Sequence, residues 1–380
     1  MKITLALAGA ASLALLPGTA IAGPIADNAA ATLDEALLGD RSLHGLLASV
    51  HAPRRGVRLD LARGRREPGS NERLGPNNSF RIASVTKVFV AAAVLRLHET
   101  ARLDLFAPIA GKIAPEDEAA LTAAGYAPDR ITVYQLLTHT SGLRDYAEAP
   151  DYQQAVGGDP SRRWTAGEQI AVAMRQGAPL GAPGTVYSYA DTNFLLLGEI
   201  LTRSNGKTLA AAVRSLDRLD RLGLRHTYWE RLEPAPKADR RAGQRMGTVD
   251  VAAIDPSVDL FGGGGLVSTT GDLATFFRAL LRGELFAERG TLSLALLGAP
   301  TSSPEGKTRA QAPLMRVRKV GRELCWEHGG FWGIEAVHCP NSDVTVVVSY
   351  NQAQPGETTT GSAEREGLVD RLARLVQPAG

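Results

Sequence analysis

Apolar and polar residues follow two different periods along the chain, and the period separates helix-like from strand-like segments. Apolar residues recur at helical spacing from Ser84 to Thr100, as the buried face of a helix requires. A shorter helix-like segment, Asp27 to Leu38, precedes two strand-like runs, Leu43 to His51 and Val57 to Ala62. Pro53 to Gly56, between the two runs, is typical of a turn. The pattern therefore predicts a pair of strands followed by a long helix.

The middle of the chain differs from its carboxyl-terminal part. From about Asp104 to Pro256, helix-like segments alternate with long loops rich in Gly, Pro and Ala, whereas strand-like runs return after Gly262–Gly265. An amphipathic helix from Ala363 to Val376 ends the pattern. Because strands occur at both ends, we expect the two ends to build one sheet, with the helical middle inserted. A helix from Gly271 to Leu281 and four strands are predicted after the glycines: Leu314 to Val320, Glu323 to His328, Ile334 to His338 and Val344 to Tyr350.

The first 22 residues have the composition of a secretory signal peptide. Lys2 is followed by an apolar stretch, and Ala20-Ile21-Ala22 has the small-x-small pattern of a cleavage site. A buried amino-terminal helix is the alternative, but Pro17-Gly18 would break it and no amphipathic period is visible. No later stretch approaches the roughly 18 apolar residues that a membrane span needs. We therefore expect cleavage after Ala22 and a periplasmic or secreted protein without a membrane span.

Composition and charge restrict the possible partners. The chain of 380 residues is 44% hydrophobic and 22% charged, which is ordinary for a globular protein. Loss of Lys2 with the signal peptide leaves 41 of the 42 basic residues against 40 acidic ones. This balance gives no electrostatic footprint for nucleic acid or an anionic membrane. The seven histidines show no metal-ligand spacing, so no zinc site is predicted, and a small neutral or zwitterionic partner fits better.

The two cysteines, Cys325 and Cys339, flank two predicted strands joined by a glycine-rich turn. In an oxidising compartment they can form a disulfide across this hairpin. Two independent buried thiols fit the sequence equally well, so the pairing stays open. Two cysteines alone make no metal site.

The helix that begins at Ser84 carries the pattern Ser84-Val85-Thr86-Lys87. Residues three positions apart share one face of a helix, so the Lys87 ammonium can reach the Ser84 hydroxyl. A serine at a helix amino terminus lies beside unpaired N–H groups, which favour a developing oxyanion and hence acyl transfer. An ordinary N-cap role fits Ser84 alone equally well. The same spacing recurs at Ser204 and Lys207, but Asn-Gly between them predicts a helix end and a turn.

About a hundred residues further on, a turn brings Tyr189 and Asp191 to the start of an apolar helix, Leu195 to Ile200. Tyr189 can act as a proton-transfer group if a neighbouring cation lowers its pKa. The alternative is a packing tyrosine beside an aspartate that caps the helix.

A third motif, His328-Gly329-Gly330-Phe331, ends a predicted strand. Glycines at this place let a ligand approach the backbone closely and let an N–H group point into a site. A simple hairpin turn explains the glycines equally well, although it does not explain the histidine before them.

Taken in order, S-V-T-K, Tyr189-Ala190-Asp191 and His328-Gly329-Gly330 resemble the S-x-x-K, Tyr-x-Asn and Lys/His-Thr-Gly motifs of the serine penicillin-recognising proteins. This family includes class C β-lactamases, D-alanyl-D-alanine carboxypeptidases, D-aminopeptidases and related esterases. The stretches Ile131 to Leu143 and Gly264 to Leu273 look similar too, and the resemblance extends from about Leu43 to Tyr350.

The resemblance implies a β-lactamase/transpeptidase-like fold of class α+β. Such a fold is an α/β sandwich with a mainly antiparallel sheet flanked by helices, plus an inserted all-helical subdomain. In this chain, residues 23–105 and 256–380 then form the sandwich and residues 106–255 form the helical subdomain. The order of helices and strands in the pattern agrees with this expectation.

The resemblance also implies a mechanism. Ser84 is the nucleophile that forms an acyl-enzyme, Lys87 assists its deprotonation, and Tyr189 carries the proton to the leaving group and activates water in deacylation. The backbone N–H groups of Ser84 and Phe331 form the oxyanion hole. No metal or organic cofactor is needed. The substrate-binding and oxyanion set also contains Asp191, His328, Gly329 and Gly330.

The second motif departs from the family pattern, because Asp191 stands where the family has Asn. An amide can donate and accept hydrogen bonds, whereas an ionised carboxylate only accepts them. An anion near Lys87 stabilises the ammonium form of the lysine and weakens it as a base. We therefore hypothesise that Tyr189 carries more of the proton transfer.

The third motif departs too, because Gly329 stands where relatives have Thr. Neither Gly329 nor Phe331 offers a hydroxyl to hold a substrate carboxylate, and each such charged hydrogen bond is worth about 1.5–3 kcal/mol. This weakens the expectation of a β-lactamase and leaves room for a less polar ester or amide. An arginine of the segment Leu314 to Arg318 is a candidate to compensate.

From these motifs we predict an exported serine hydrolase acting through an acyl-enzyme on Ser84, of the D-alanyl-D-alanine carboxypeptidase-like or D-amino-acid peptidase type. An esterase of the β-lactamase-like type or a class C-like β-lactamase is the alternative, and the absent hydroxyls favour the esterase. The non-enzyme alternative is a penicillin-binding sensor that acylates slowly and never turns over. The presence of Asp191 in place of the family Asn leaves this alternative open. The expected partner is a small-molecule, peptide or ester substrate, and the sequence does not predict an oligomeric state.

Overall fold

A computed structural model of the protein describes residues 19–296, 299–302, 308–311, 315–353 and 361–377. The proposed signal peptide lies outside these residues except for the backbone of residues 19–22, so its cleavage stays a prediction. The helices are α1 (Thr19–Gly39), α2 (Thr86–Glu99), α3 (Pro115–Ala123), α4 (Val133–Leu137), α5 (Pro150–Gly158), α6 (Ala166–Arg175), α7 (Asp191–Asn205), α8 (Leu209–Leu216), α9 (Thr270–Leu281), α10 (Arg289–Leu296) and α11 (Gly361–Arg374). The strands are β1 (Gly45–Ala52), β2 (Val57–Gly64), β3 (Phe80–Arg81), β4 (Tyr228–Trp229), β5 (Arg245–Met246), β6 (Val249–Asp250), β7 (Leu266–Ser268), β8 (Ala299–Ser302), β9 (Thr308–Gln311), β10 (Arg316–Val320), β11 (Glu323–Gly330), β12 (Ile334–Cys339) and β13 (Val344–Ser349).

A six-stranded antiparallel sheet joins the two ends of the chain, in the order β10-β11-β12-β13-β1-β2. β1 pairs with β13, and Leu47 lies opposite Ser349. This pairing confirms that strands from both ends of the chain build one sheet.

Helices cover both faces of this sheet. Val346 and Val348 of β13 face a core built with α1 and α11, whereas Val347 faces the larger core that contains α2 and α9. Because β1, β12 and β13 are buried on both faces, their apolar and polar residues do not alternate cleanly. The α+β class and the antiparallel sandwich flanked by helices are therefore confirmed. Within the described part of the chain, no helix is long and apolar enough to cross a membrane.

The middle of the chain contains helices α3 to α8, together with short strands that the sequence pattern does not predict. β4 joins β3 and β7 in a three-stranded sheet, and β5 and β6 form a hairpin. Each of these strands in the middle has only two residues, which is too short to produce a period of two. Residues 106–255 are therefore not wholly helical, and the domain boundaries drawn there stay a prediction.

A disulfide joins Cys325 of β11 to Cys339 of β12, which decides between the two alternatives left open by the sequence. The register that places Trp326 opposite His338 also places the two cysteines opposite each other, with their Cα atoms 4.3 Å apart. Together with Glu323 they form a group of three potential metal ligands, but both sulfurs are already bonded to each other.

Candidate active site

Ser84 lies in a short 3-10 turn, Ala83–Val85, that leads directly into α2. The N-cap of α2 is Val85 and that of the turn is Ile82, so the Ser84 hydroxyl caps neither element. Ala83 adopts a left-handed backbone conformation with φ 45°, which is unusual for a residue with a side chain and typical of strain at functional sites. The chain therefore makes a tight bend immediately before the serine.

Lys87 lies one turn further along, with its ammonium group inside the protein. Its Nζ donates hydrogen bonds to Ser84 Oγ at 3.0 Å and to the carbonyl oxygen of Gly263 at 2.8 Å. Asp191 Oδ1 forms an ion pair with the same Nζ at 2.7 Å. Only 2% of the Lys87 side chain is exposed, so this ion pair is shielded from water. The structure thus brings Ser84, Lys87 and Asp191 together.

Asp191 determines the protonation state of the lysine. Burial alone lowers the pKa of Lys87, but the Asp191 carboxylate and the Tyr189 hydroxyl outweigh burial and hold the pKa above its usual range. Lys87 is therefore an ammonium ion at neutral pH. Asp191 does not cap the helix, because the N-cap of α7 is Ala190 and no side chain caps it.

Tyr189 lies beside this ion pair, with Lys87 Nζ 5.1 Å from the centroid of its ring. Although 40% of the residue is exposed, its hydroxyl lies inside the site, where Lys87 and Ser84 both influence its pKa. Burial of the hydroxyl and the Asp191 carboxylate raise the pKa of Tyr189 and outweigh the opposite effect of Lys87. The cation anticipated from the sequence is present, but it does not lower the pKa of this tyrosine, which keeps its proton at neutral pH.

The third motif lies against the turn that carries Ser84. A Cβ atom on Gly330 would lie 2.3 Å from the carbonyl oxygen of Ile82, so only glycine lets β11 approach the serine turn this closely. Gly333 N–H donates to Gly330 O at 2.9 Å and closes the loop between β11 and β12. Phe331 is the first residue of this loop, its N–H takes no part in the closing bond, and 52% of the residue is exposed.

His328 lies at the end of β11 and is uncharged. Its Nδ1 lies 2.8 Å from the carbonyl oxygen of Gly329, so this nitrogen donates a hydrogen bond to it. Burial, followed by the positive charges of Lys87 and Arg316, lowers the pKa of His328 to about 3. The imidazole therefore adds no positive charge to the site.

Arg316 lies beside Gly329, the second residue of the third motif. Its Nη2 lies 4.0 Å from the position of a Cβ atom on Gly329. The side chain is 63% exposed, and its guanidinium lies 3.3 Å from Glu327. Arg318, the other arginine of the segment, also pairs with Glu327 but is held by Glu335 and Asp370 as well. Of the two, Arg316 is thus the one beside the third motif.

Three residues of this region were not predicted from the sequence. Gly263 supplies a carbonyl oxygen to Lys87 from a position 176 residues away, and the sequence indicates only the run of glycines around it. His139 stacks on Tyr189, with ring centroids 4.4 Å apart. Asp145 accepts a hydrogen bond from Ala147 N, and burial followed by the Asp191 charge raises its pKa to about 8. His139 lies in a stretch that shares the resemblance, whereas no sequence signal indicates Asp145.

Comparisons with known proteins support the fold and identify the family. The model of the Beta-lactamase family matches residues 31–370 of the chain. Esterase EstB of Burkholderia gladioli is 34% identical over 210 residues, which cover 54% of this chain and 51% of that protein. The D-alanyl-D-alanine-carboxypeptidase/endopeptidase AmpH of Escherichia coli K12 is 26% identical over 227 residues, covering 59% of this chain and 54% of that protein. The matched region thus spans about half the length of these curated relatives.

Solved structures match over a larger part of the chain. A D-stereospecific amidohydrolase from Streptomyces sp. has a TM-score of 0.72 at 25% identity and covers 90% of this chain and 98% of its own. A D-amino acid amidase from Ochrobactrum anthropi SV3 has a TM-score of 0.77 at 21% identity. The match covers 93% of this chain and 99% of the amidase chain, and it supports the fold. Together with the match over residues 31–370, these likenesses show that the chain belongs to the Beta-lactamase family, whose relatives named here are serine hydrolases.

Proposed function

We propose that the protein is a serine hydrolase in which Ser84 attacks a substrate carbonyl and forms an acyl-enzyme. The observation that carries this proposal is the hydrogen bond of 3.0 Å between Lys87 Nζ and Ser84 Oγ, at a serine presented by a strained turn. A structural serine at a helix start normally caps the helix, and Ser84 does not.

The oxyanion hole is formed by the N–H groups of Ser84 and Phe331 in this proposal. The close approach of Gly330 to Ile82 supports it, because it brings the loop of Phe331 beside the serine turn. Donors fixed in this way stabilise the negative charge that develops on the carbonyl oxygen, and loss of one such donor typically costs about 10²–10³ in kcat. The Lys87 ammonium adds a positive charge beside the nucleophile.

Proton transfer proceeds as a relay through Tyr189, because Lys87 and Tyr189 both hold protons in the resting site. As the bond from Ser84 Oγ to the carbonyl carbon forms, the serine proton passes to the Tyr189 oxygen. The proton that Tyr189 held passes to the leaving group. In deacylation a water proton enters the same oxygen, the hydroxide attacks the acyl carbon, and Tyr189 returns a proton to Ser84 Oγ. Neither Lys87 nor Tyr189 has to lose its proton beforehand.

Peptides or amides of D-amino acids are the substrate class that we propose first. The Streptomyces D-stereospecific amidohydrolase, which covers 90% of this chain, supports it, as does the carboxypeptidase/endopeptidase AmpH. Arg316 provides a guanidinium beside Gly329 that can bind a substrate carboxylate in place of the absent hydroxyl.

Esters with an apolar acyl group are the second candidate. Phe331 presents a half-exposed aromatic ring at the edge of the site, and Gly329 has no hydroxyl to bind a carboxylate. The 34% identity with esterase EstB points the same way.

The decisive experiment is to incubate the protein with a D-Ala-D-Ala peptide, a p-nitrophenyl ester and a labelled penicillin, and to search for an adduct on Ser84 by mass spectrometry. Turnover of the peptide supports the first substrate class, and turnover of the ester alone supports the second. An adduct that forms without turnover of any substrate indicates a sensor. Full turnover by Ser84→Ala on every substrate would disprove the proposed mechanism.

The second S-x-x-K in the chain provides a matched control for Lys87. Lys87→Ala is expected to lower kcat by about 10²–10⁴, because the ammonium that positions and stabilises the nucleophile is lost. Lys207→Ala is expected to leave kcat unchanged, because Lys207 is exposed at the end of α7 and its ammonium contacts Ser215. Equal effects of the two substitutions in a steady-state assay would contradict the assignment of Lys87.

Arg316→Ala tests the carboxylate site. The variant is expected to raise KM for a peptide with a free terminal carboxylate by about 10-fold or more, because a charge-assisted hydrogen bond is lost. KM for a p-nitrophenyl ester should not change. Arg322→Ala, which removes an exposed arginine in the turn after β10, is the control. If Arg316→Ala changes KM for both substrates alike, the guanidinium does not bind the carboxylate.

A further inference from the structure

His139 has an unusual backbone at a buried position. Its φ is 55°, in the left-handed region that residues with a side chain rarely adopt, and only 4% of the residue is exposed. A buried residue keeps such a conformation only when its surroundings hold it there. The contacts of His139 must therefore hold its backbone in this conformation.

These contacts converge on the segment that carries Tyr189. The imidazole stacks on the Tyr189 ring, with centroids 4.4 Å apart and an angle of 27° between the planes. His139 O accepts a hydrogen bond from Ser188 N at 2.9 Å, and His139 Nδ1 accepts one from Ala190 N at 3.1 Å. One residue thus holds both chain neighbours of Tyr189 and the face of its ring.

A second layer of contacts fixes the imidazole itself. Asn193 Nδ2 lies 3.2 Å from His139 Nδ1, and the side-chain oxygen Oδ1 of Asn193 accepts a hydrogen bond from Ser141 Oγ at 2.6 Å. The ring of Phe194 packs against the imidazole at 5.3 Å between centroids. The orientation of His139 is therefore set by α7 and by the loop after α4.

The imidazole is neutral and does not itself exchange a proton with substrate. Burial, followed by the positive charge of Lys87, lowers the pKa of His139 well below its usual value. Since Nδ1 accepts hydrogen bonds, the single proton of the neutral ring lies on Nε2. The lone pair of Nδ1 is occupied by the donors from Ala190 and Asn193, so His139 is no candidate for the general base.

We propose that His139 is a positioning residue that holds the Tyr189 hydroxyl within hydrogen-bonding reach of Ser84 and Lys87. This inference rests on the proposed function, in which Tyr189 relays the proton. The Tyr189 ring is 40% exposed, so its buried face is where it can be held. Displacement of a proton-transfer group by about 1 Å can cost up to about 10²-fold in rate.

The test is a double-mutant cycle between His139 and Tyr189, measured as kcat on the best substrate. His139→Asn is the first variant, because asparagine tolerates a left-handed backbone but has no ring. It is expected to lower kcat about 10- to 100-fold with little change in KM. In the background of Tyr189→Phe, which lacks the hydroxyl, the same substitution is expected to have no further effect.

Two further variants separate positioning from folding. His139→Phe keeps an aromatic ring for stacking and is expected to recover part of the kcat that His139→Asn loses. His98→Phe, at a histidine of α2 that bonds to Leu103 O and packs against Phe106, is the matched control and should leave kcat unchanged.

Several outcomes would overturn the inference. His139→Asn and His139→Phe could both keep the wild-type kcat, or His139→Asn could lower kcat by the same factor with and without the Tyr189 hydroxyl. In either case a Ser84 adduct in the wild-type protein would leave the proposed function intact. Absence of that adduct with every substrate would instead remove the proposed function, and the inference with it.

Discussion

At the scale of single residues, Asp191 is the substitution that distinguishes this site from its family motif. Its carboxylate lies 2.7 Å from Lys87 Nζ and raises the pKa of both Lys87 and Tyr189. An amide at this position would be neutral and would leave both values lower. The difference between Asp and Asn therefore affects which group moves the proton.

Asp191→Asn is expected to shift the basic limb of the pH profile of acylation to lower pH. The relay uses the protonated forms of Lys87 and Tyr189, and removal of the anion makes both groups lose their protons at lower pH. The measurement is the rate of acylation of Ser84 between about pH 6 and 11. Asp151→Asn, at an exposed carboxylate paired with Arg175, is the control. A basic limb that does not move would show that Asp191 has no influence on proton transfer.

The sequence predicts the nucleophile and its lysine because they are three positions apart at the start of a helix and because two further motifs follow them. Ser84 lies in the turn that leads into α2, and this spacing brings Lys87 Nζ to 3.0 Å from Ser84 Oγ. The groups that bind the Lys87 ammonium are distant in sequence, and Gly263, whose carbonyl oxygen accepts its hydrogen bond, is 176 residues from Lys87. No local pattern reveals such a contact. The same reason explains why Asp145, with no motif around it, was not predicted.

At the scale of elements, the end of β11 and the turn before α2 form one unit. The two glycines of the third motif have different surroundings in it. A Cβ atom on Gly330 would lie 2.3 Å from Ile82 O, whereas one on Gly329 would have its nearest neighbour at 3.5 Å, which is an ordinary contact. From sequence the two glycines are equivalent, because the clash involves an atom about 250 residues away.

Gly330→Ala is expected to lower the rate of acylation by at least about 10-fold, because β11 must move away from Ser84 and carry the Phe331 N–H with it. Gly329→Ala is the matched control and should acylate at nearly the wild-type rate, because the added methyl group has room. The rates can be measured with a chromogenic ester in single turnover, and thermal unfolding checks that both variants fold. Equal rates for the two variants would contradict this account of the strand end.

At the scale of the whole molecule, several carboxyl groups are buried without a neutralising cation at hydrogen-bonding distance. Burial, together with neighbouring carboxylates, raises the pKa of Asp259 and of Glu199 to about 7, and that of Asp145 to about 8. Each contributes stability that is fully present below its unfolded pKa of about 4 and is lost as the pH rises through the folded pKa. Asp60 and Asp343 have lowered pKa values, so the stability that they contribute is lost as the pH falls through those values. The free energy of unfolding should therefore be greatest at mildly acidic pH.

Glu199→Gln tests this at a site away from Ser84. Glu199 of α7 accepts a hydrogen bond from Ala114 N, which the glutamine oxygen can keep, and it lies near Asp117. The variant is expected to reduce the loss of unfolding free energy between pH 5 and 8 by about 1 kcal/mol, since water still reaches part of the carboxyl. Urea unfolding at both pH values measures it, with Asp129→Asn at an exposed carboxylate as control. An unchanged difference between the two pH values would contradict the prediction.

The place of β13 inside the sheet has a consequence for biosynthesis. β13 lies between β12 and β1. It therefore joins β1 and β2, which are synthesised first, to β10, β11 and β12, which come immediately before it in the chain. During translation, about 300 further residues are synthesised after β1 before β13 is available to pair with it. Every residue of β1 is buried in the folded protein. Until then this mainly apolar strand can pair only with β2, and its other edge is open to association with other nascent chains. Protection from aggregation is therefore needed through most of the synthesis of the chain, because the six-stranded sheet can be completed only after β13 has been made.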